Sequence, residues 1–429
     1  MNARQAQKRG APMTDAKEVA GESPPIDAGP SERGGVVEVF AVALGLGLTS
    51  FGGPVAHLGY FERTYVRRRR WLSADDYAGL VALCQMLPGP ASSQVSFLIG
   101  LRRASWAGAL AAWLGFTLPS AVLMFAFAWL APRLTGPLTQ AILHGLKLVA
   151  MAVVAQAVWS MAAKLCPDLR RAALAVVSAT LLLLFGGPLM QLVALAVGAI
   201  GGALLCRGVQ SQSAPPKLPV GRRAGLVFIA LFLGLLIGLP LAAQAAPRSW
   251  LGMVEVFYKT GALVFGGGHV VLPLLRDALV PSGWVSDNTF LASYGAAQAM
   301  PGPLFAFAAY LGAIIAPHGS GIGMAALWSL AALVFIFLPG MLVAAAGLPL
   351  WNWVGHHSIA RGALAGVNAA VVGVLGVALY NPIWTSAILG ARDLAIALIA
   401  FMLLERWRAP PILMVIFCVG AAVTLAGPA

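Results

Sequence analysis

Two short stretches of this chain place polar groups where helical hydrogen bonding must be interrupted. The first is Gln85-Met86-Leu87-Pro88-Gly89-Pro90, followed by Ala91, Ser92, Ser93 and Gln94. Proline removes an amide donor and glycine frees the backbone, so a helix breaks there. A helix that restarts at this point exposes its first amides, which carry partial positive charge. Such amides bind anions without any ionisable residue, and Ser92, Ser93 and Gln94 would add side-chain donors. The competing reading is that the two hydroxyls only bond back to their own helix. The second stretch is Phe51-Gly52-Gly53-Pro54, with His57 close behind. That histidine could carry or sense protons near neutral pH, or act only as a structural donor.

Both stretches occur twice, and internal repeats govern the whole reading. Phe51-Gly52-Gly53-Pro54 recurs as Phe265-Gly266-Gly267-Gly268, followed by His269. The PGP stretch recurs as Gln298-Ala299-Met300-Pro301-Gly302-Pro303. Val37-Glu38-Val39-Phe40 returns as Val254-Glu255-Val256-Phe257, Trp71-Leu72-Ser73 as Trp284-Val285-Ser286, and Leu118-Pro119-Ser120 as Leu338-Pro339-Gly340. The order is kept, so the chain carries two homologous halves. They are not chemically equal: Leu304-Phe305-Ala306-Phe307 is apolar where the first half has Ala91-Ser92-Ser93-Gln94. Most polar contacts are therefore expected in the first half.

The elements that position these stretches are membrane helices. Of 429 residues 59% are apolar and 10% charged, against about 25% charged in a soluble domain. Ala104–Leu130, Leu138–Ala163, Met324–Ala346 and Pro411–Leu425 are apolar runs of the kind that cross a bilayer. The net charge of +13 lies in short connections between apolar segments, a positive-inside pattern rather than a nucleic-acid footprint. Residues 1–34 balance five basic against five acidic residues and are expected to form a disordered cytoplasmic tail. The halves are placed at 35–206 and 224–429, joined by a cytoplasmic linker over 207–223.

Equivalent loops differ in charge. Arg63 and Arg67–Arg70 follow the first glycine turn, whereas the matching loop holds Arg276 with Asp277 and Asp287. Lys and Arg mark cytoplasmic loops, so the halves are expected to be inverted. Arg67–Arg70 and Arg102-Arg103 then share one face although Tyr77–Leu101 lies between them. Two half-helices of about 11 residues, roughly 16 Å each, would enter and return with the PGP turn at the tip. A kinked through-helix is the alternative. The expected fold is all-α and polytopic, with broken or re-entrant segments near 36–60, 77–101, 252–275 and 289–314. Full spans are expected near 104–130, 138–163, 170–185, 188–206, 224–243, 321–346, 361–380, 392–405 and 411–427. Paired broken helices in inverted halves are the sequence mark of a transport site, because irregular backbone at membrane depth must be buried or line a cavity.

Glu38 and Glu255 stand at matching positions, and Lys259 follows Glu255 at i+4, where the two can pair. A charge inside a bilayer is a functional hypothesis, so these three are coupling candidates; interfacial anchoring is the alternative. The Arg67–Arg70 run sets topology and meets anionic headgroups. Cys84, Cys166, Cys206 and Cys418 are scattered with no CxxC spacing and read as small buried hydrophobes. No metal set, nucleotide loop or catalytic cluster emerges, so no cofactor, metal or enzymatic activity is expected.

The doubled pattern FGGPxAH…QxLPGPxxxQ…LPS with FGGGH…QAMPGP resembles the chromate ion transporter family in its long, two-domain form. The resemblance spans roughly residues 36–427. It implies export of chromate across the inner membrane and chromate resistance, with sulfate as the structural analogue and the N-terminus cytoplasmic. Motif positions carried over are Phe51, Gly52, Gly53, Pro54, His57, Gln85, Pro88, Gly89, Pro90 and Gln94. In the second half they are Phe265, Gly266, Gly267, Gly268, His269, Gln298, Pro301, Gly302 and Pro303. Expected partners are the chromate or sulfate anion, the lipid bilayer and, as an option, a second copy in a homodimer; nucleic acid is not among them. Rival readings are a carrier of sulfate or another oxyanion and a passive anion channel.

Overall fold

The computed structural model describes residues 34–130, 136–206 and 220–425, apart from 266 and 318. Most of the tail, residues 207–219 of the linker and Gly266 lie outside the described residues. Those described are helical with no β-strand among them. The order is α1 (Val36–Thr49), α2 (Gly53–Phe61), α3 (Ala74–Met86), α4 (Ala91–Leu130), α5 (Pro137–Leu165), α6 (Leu169–Phe185), α7 (Pro188–Leu205) and α8 (Arg222–Ala243). The second half follows with α9 (Trp250–Leu263), α10 (Val271–Leu279), α11 (Asp287–Ala297), α12 (Phe307–Ile315), α13 (Ile322–His356) and α14 (Ser358–Ala378). A π-helical turn at Leu379–Trp384 leads to α15 (Thr385–Ala387), α16 (Ala391–Glu405) and α17 (Pro411–Leu425). Among the described residues, five helices are long and apolar enough to cross a membrane: α4, α5, α8, α13 to Gly347, and α14 with its extension to Ala387.

Local chemistry sets the helix starts. Ser73 Oγ accepts from the Asp76 amide at 3.1 Å and Ser286 Oγ from the Thr289 amide at 3.2 Å. The repeated Trp-x-Ser motif is therefore an N-cap that begins α3 and α11. Proline follows a positive-φ glycine at the heads of α5 and α7, using a position where the missing donor costs nothing. Helix α4 is two arms, because Ala104 and Ser105 leave helical backbone angles.

Each broken segment of the first half is a hairpin. Arg102 near the end of the 91–103 arm pairs with Asp76 in the first turn of α3 at 2.7 Å. Residues 74–103 therefore enter and return, and the kinked through-helix is excluded. Glu38 in the first turn of α1 lies 3.7 Å from Arg69 and 3.2 Å from Arg103, so α1 and α2 likewise begin and end together. In the second half Arg248, just before α9, donates to the Ser282 carbonyl just after α10.

The two hairpin pairs open at opposite ends of the molecule. The 106–130 arm of α4 starts beside Arg103, passes the second PGP turn at Phe116 and carries Phe127 to Tyr310 of α12, with 5.4 Å between ring centroids. Helix α13 starts with Trp328 against Trp250 and Trp284. It then passes the first PGP turn at Gly340 and brings Gly347 against Leu83 of α3. Each long helix thus runs from the mouth of its own half into the body of the other, as inverted repeats require.

The halves also interlock at their far ends: α6 and α7 pack on α14, while α16 and α17 pack on α5. A Cβ on Gly198 would lie 2.7 Å from the Gly366 carbonyl oxygen, and one on Gly362 2.6 Å from that of Gly202. Small residues four apart let α7 and α14 touch backbone to backbone, the usual device of membrane helices. Helix α8, the extra span between halves, buries only Gly225 and Ala243. Leu226, Val227, Leu231, Leu233, Ile237 and Leu241 are exposed on it, an apolar surface of the kind that meets lipid or another protein.

Candidate functional site

All four hairpin tips meet in the centre. The Gly89 amide donates to the Val264 carbonyl at 2.7 Å, and the Gly302 amide donates to the Ser50 carbonyl at 2.9 Å. Ser50 and Val264 immediately precede the two glycine turns, so each PGP turn is bonded across the molecule to the other half's glycine turn. The expectation of anion-ready amides at the PGP glycines is corrected here, since both are occupied. The glycine turns face each other as well. A Cβ on Gly268 would stand 3.3 Å from Pro54, and one on Gly53 would stand 3.9 Å from His269 Nε2. Gly53 needs its glycine, with φ +74°, a left-handed region other residues enter at a cost. Phe51 and Phe265, half-buried, flank these turns, Gly267 lies 3.5 Å by the same measure from the Met161 sulfur of α5, and Pro301 and Pro303 are buried.

The polar side chains gather at the start of α4. Ser92, Ser93 and Gln94 are all buried, and neither serine makes the bond back to its own helix. Ser92 Oγ lies 3.4 Å from His57 Nδ1. His57 packs edge-on against Phe116 at 5.4 Å, and its Nε2 is buried without a hydrogen-bond partner among the described residues. Gln94 Nε2 donates to the Pro88 carbonyl at 2.7 Å and to the Gly340 carbonyl at 2.8 Å. Gln94 thus pins the PGP turn to α13. The network also fixes its amide orientation, because a flip would set three oxygens together. Removing the amide leaves two buried carbonyls bare, at about 1–3 kcal/mol each. Gln94→Leu is therefore expected to lower the thermal midpoint of the detergent-solubilised protein by several degrees. An unchanged midpoint would mean that the pin contributes nothing.

The second half differs in kind. His269 Nδ1 pairs with the Tyr294 hydroxyl at 2.8 Å, while Leu304, Phe305, Ala306 and Phe307 are buried and apolar. Ser50 Oγ, Ser93 Oγ, Thr117 Oγ1, His57 Nε2, Gln94 Oε1 and Gln298 Nε2 are buried with no hydrogen-bond partner among the described residues. None of the fully buried polar residues described is Asp, Glu, Lys or Arg. Neutral hydroxyl, imidazole and amide donors, together with the first-turn amides of α4, can hold a tetrahedral oxyanion without a counter-charge.

Gly52, within the first glycine turn, is exposed, as is Gln85. The charged sequence candidates lie apart from the tips. Glu38 sits at the mouth with Arg69 and Arg103, whose guanidinium also covers the Trp71 ring at 5.1 Å. Glu255 pairs with Lys259 at 3.5 Å, beside a cavity that also holds Gln191 and Asp277. Among the described residues no three His, Cys, Asp or Glu side chains come together as metal ligands. Ser50, Thr117 and Tyr294 escape the sequence reading. Tyr294 could have been found from its spacing of four before Gln298 on one face of α11. Ser50 and Thr117 carry no such signal, because each replaces an ordinary apolar-run residue.

The family model of the chromate transporters matches residues 37–203 and 251–424, one match on each pair of hairpins. A chromate transport protein of Pseudomonas aeruginosa is 29% identical over 341 residues, covering 79% of each chain. A probable chromate transport protein of Synechococcus elongatus is 29% identical over 344 residues, 77% of this chain and 80% of its own. One from Cupriavidus metallidurans is 27% identical over 344 residues, 77% of this chain and 79% of its own. No solved structure matches this chain. With both halves matched, and with the glycine and PGP turns that carry the resemblance meeting at one point, the chain belongs to the chromate transporter family.

Proposed function

We propose that the protein is a secondary transporter that exports the chromate dianion across the inner membrane and so confers chromate resistance. The observation that carries this reading is the meeting of four half-helix tips around buried, uncharged and unpartnered donors. A site built from hydroxyls and amides pays no ion-pair cost on emptying, which suits a carrier that must release its anion. Chromate as the anion is supported by the names of the relatives. The orientation is supported by charge: Arg67–Arg70, Arg102 and Arg103 surround the first-half mouth, where positive residues mark the cytoplasmic side. The N-terminus then lies in the cytoplasm, and residues 35–206 and 224–429 form the two halves.

Export of a dianion from a cell negative inside gains about 2.3 kcal/mol per charge per 100 mV. The membrane potential alone can therefore drive it, and Glu38 at the mouth acts as an anchor rather than a proton carrier. The test is chromate accumulation in inverted vesicles. Uptake is expected to rise with an interior-positive potential and to fall with excess sulfate. A rate indifferent to the potential would overturn the electrogenic step. Sulfate carried in preference to chromate would make this a sulfate transporter.

A further inference from the structure

A large cavity with basic lining residues lies away from the tips, at the end opposite the Arg67–Arg70 mouth. Its volume is about 1080 Å³, and its lining includes His144 and Lys147 of α5, Asn288 and Thr289 of α11, and Arg392 and Asp393 of α16. His144 Nε2 lies 2.8 Å from Asp393 Oδ1, while the other carboxylate oxygen accepts from the Leu389 amide at 2.9 Å. Asp393 is thereby engaged on both oxygens. Lys147 Nζ donates to the neutral Asn288 Oδ1 at 2.7 Å, and the nearest carboxylate to act on it, Asp287, is held by Arg276 at 2.8 Å. No ion pair engages Arg392 among the described residues, and it is exposed.

Two cations therefore face a cavity whose one lining carboxylate among the described residues, Asp393, is already used. Three helices also begin there, α5 at Pro137, α11 at Asp287 and α16 at Ala391. Each N-terminus adds partial positive charge. The cavity is polar enough for a hydrated anion, whose remaining bonds go through water. Helix α11 runs from it to the tips: Asn288 and Gln298 are ten residues apart on that strand of chain, about 15 Å. The matching position in α14 to His144 is Arg361, in the same Ile-x-x-Gly context (Ile142–Gly145 and Ile359–Gly362), but Lys147 is matched by Leu364. The second cation is thus a property of this end alone.

We propose that this cavity is a second oxyanion-binding site, taking hydrated tetrahedral dianions through Lys147 and Arg392 at the face opposite the arginine-rich mouth. It concentrates the anion at the far end of the path. The site is distinct from the tips and does not depend on which anion they carry.

Equilibrium dialysis of labelled sulfate against the purified full-length protein in detergent tests it. Wild type is expected to bind in two classes. In the K147Q/R392Q double variant the weaker class should lose at least about tenfold in affinity, the scale of a lost charge-assisted bond. The K147R/R392K variant keeps both charges and should keep the class. R392Q alone, altered only at an exposed position, should weaken it without affecting folding, as checked by the thermal midpoint. Unchanged stoichiometry and affinity in both neutralised variants would overturn the proposal. The vesicle assay is read separately, so failure of chromate export would leave this result intact.

Discussion

Gly89→Ala is expected to lower chromate transport in vesicles at least about a hundredfold, a barrier change of about 2.7 kcal/mol. Gly89 has φ +113°, and a Cβ there would stand 2.7 Å from the Gly340 Cα and 3.0 Å from Gln94 Nε2. The backbone strain alone costs about 1–2 kcal/mol. The nearer contact is with backbone of another helix, which no rotamer change relieves. The turn must shift, and with it the Gly89 amide bond to Val264 and the Gln94 pin to Gly340. Because only the tip is disturbed, the variant should still insert, as measured by its amount in the membrane fraction. Full activity would show that the PGP turn does not line the path. Gly302, with φ +97° and Ser120 Oγ at 2.9 Å, holds the equivalent place in the second half. Its nearest neighbour is a side-chain oxygen, so the milder effect is expected there.

Gly366→Leu is expected to prevent assembly outright, seen as loss of the monodisperse peak in size-exclusion chromatography. Its Cβ would collide with the Gly198 carbonyl and stand 2.6 Å from the Gly202 Cα. Overpacking a core already costs about 1–3 kcal/mol where side chains can adjust; here two backbones would have to separate. Helix α14 carries α6 and α7 on one side, so separation would unseat a whole layer of the first half. Gly376 on the same helix has nothing within 4 Å of a Cβ, and Gly376→Leu is the matched control that should elute normally. Loss of the peak in both would point to a general intolerance of bulk on α14 rather than to this contact.

The hairpins were legible because charge and spacing make conflicting demands on one straight helix. Arg102-Arg103 and Arg67–Arg70 require a common face, and Pro88-Gly89-Pro90 supplies the only place to turn; the Arg102–Asp76 pair is the result. Inversion was legible from the same charges. The crossing of the tips was not, since Gly89 and Val264 stand 175 positions apart in the sequence and their bond uses backbone atoms that no side chain announces. For the same reason the PGP amides were read as free. The interlock of α7 with α14 was equally hidden: glycines four apart are common in membrane helices, and nothing in Gly198 or Gly202 names Gly366 as partner. Among site residues, the serines beside Pro90 were visible through their contrast with Leu304–Phe307, whereas Ser50 matters only because the second PGP turn lands on its carbonyl.

The paired crossing bonds at the centre impose a mechanical rule. Each has its donor in one half and its acceptor in the other, so sliding either half breaks both together, at about 0.5–1.5 kcal/mol apiece. A relative motion of the halves that keeps both bonds must therefore turn about this point rather than slide across it.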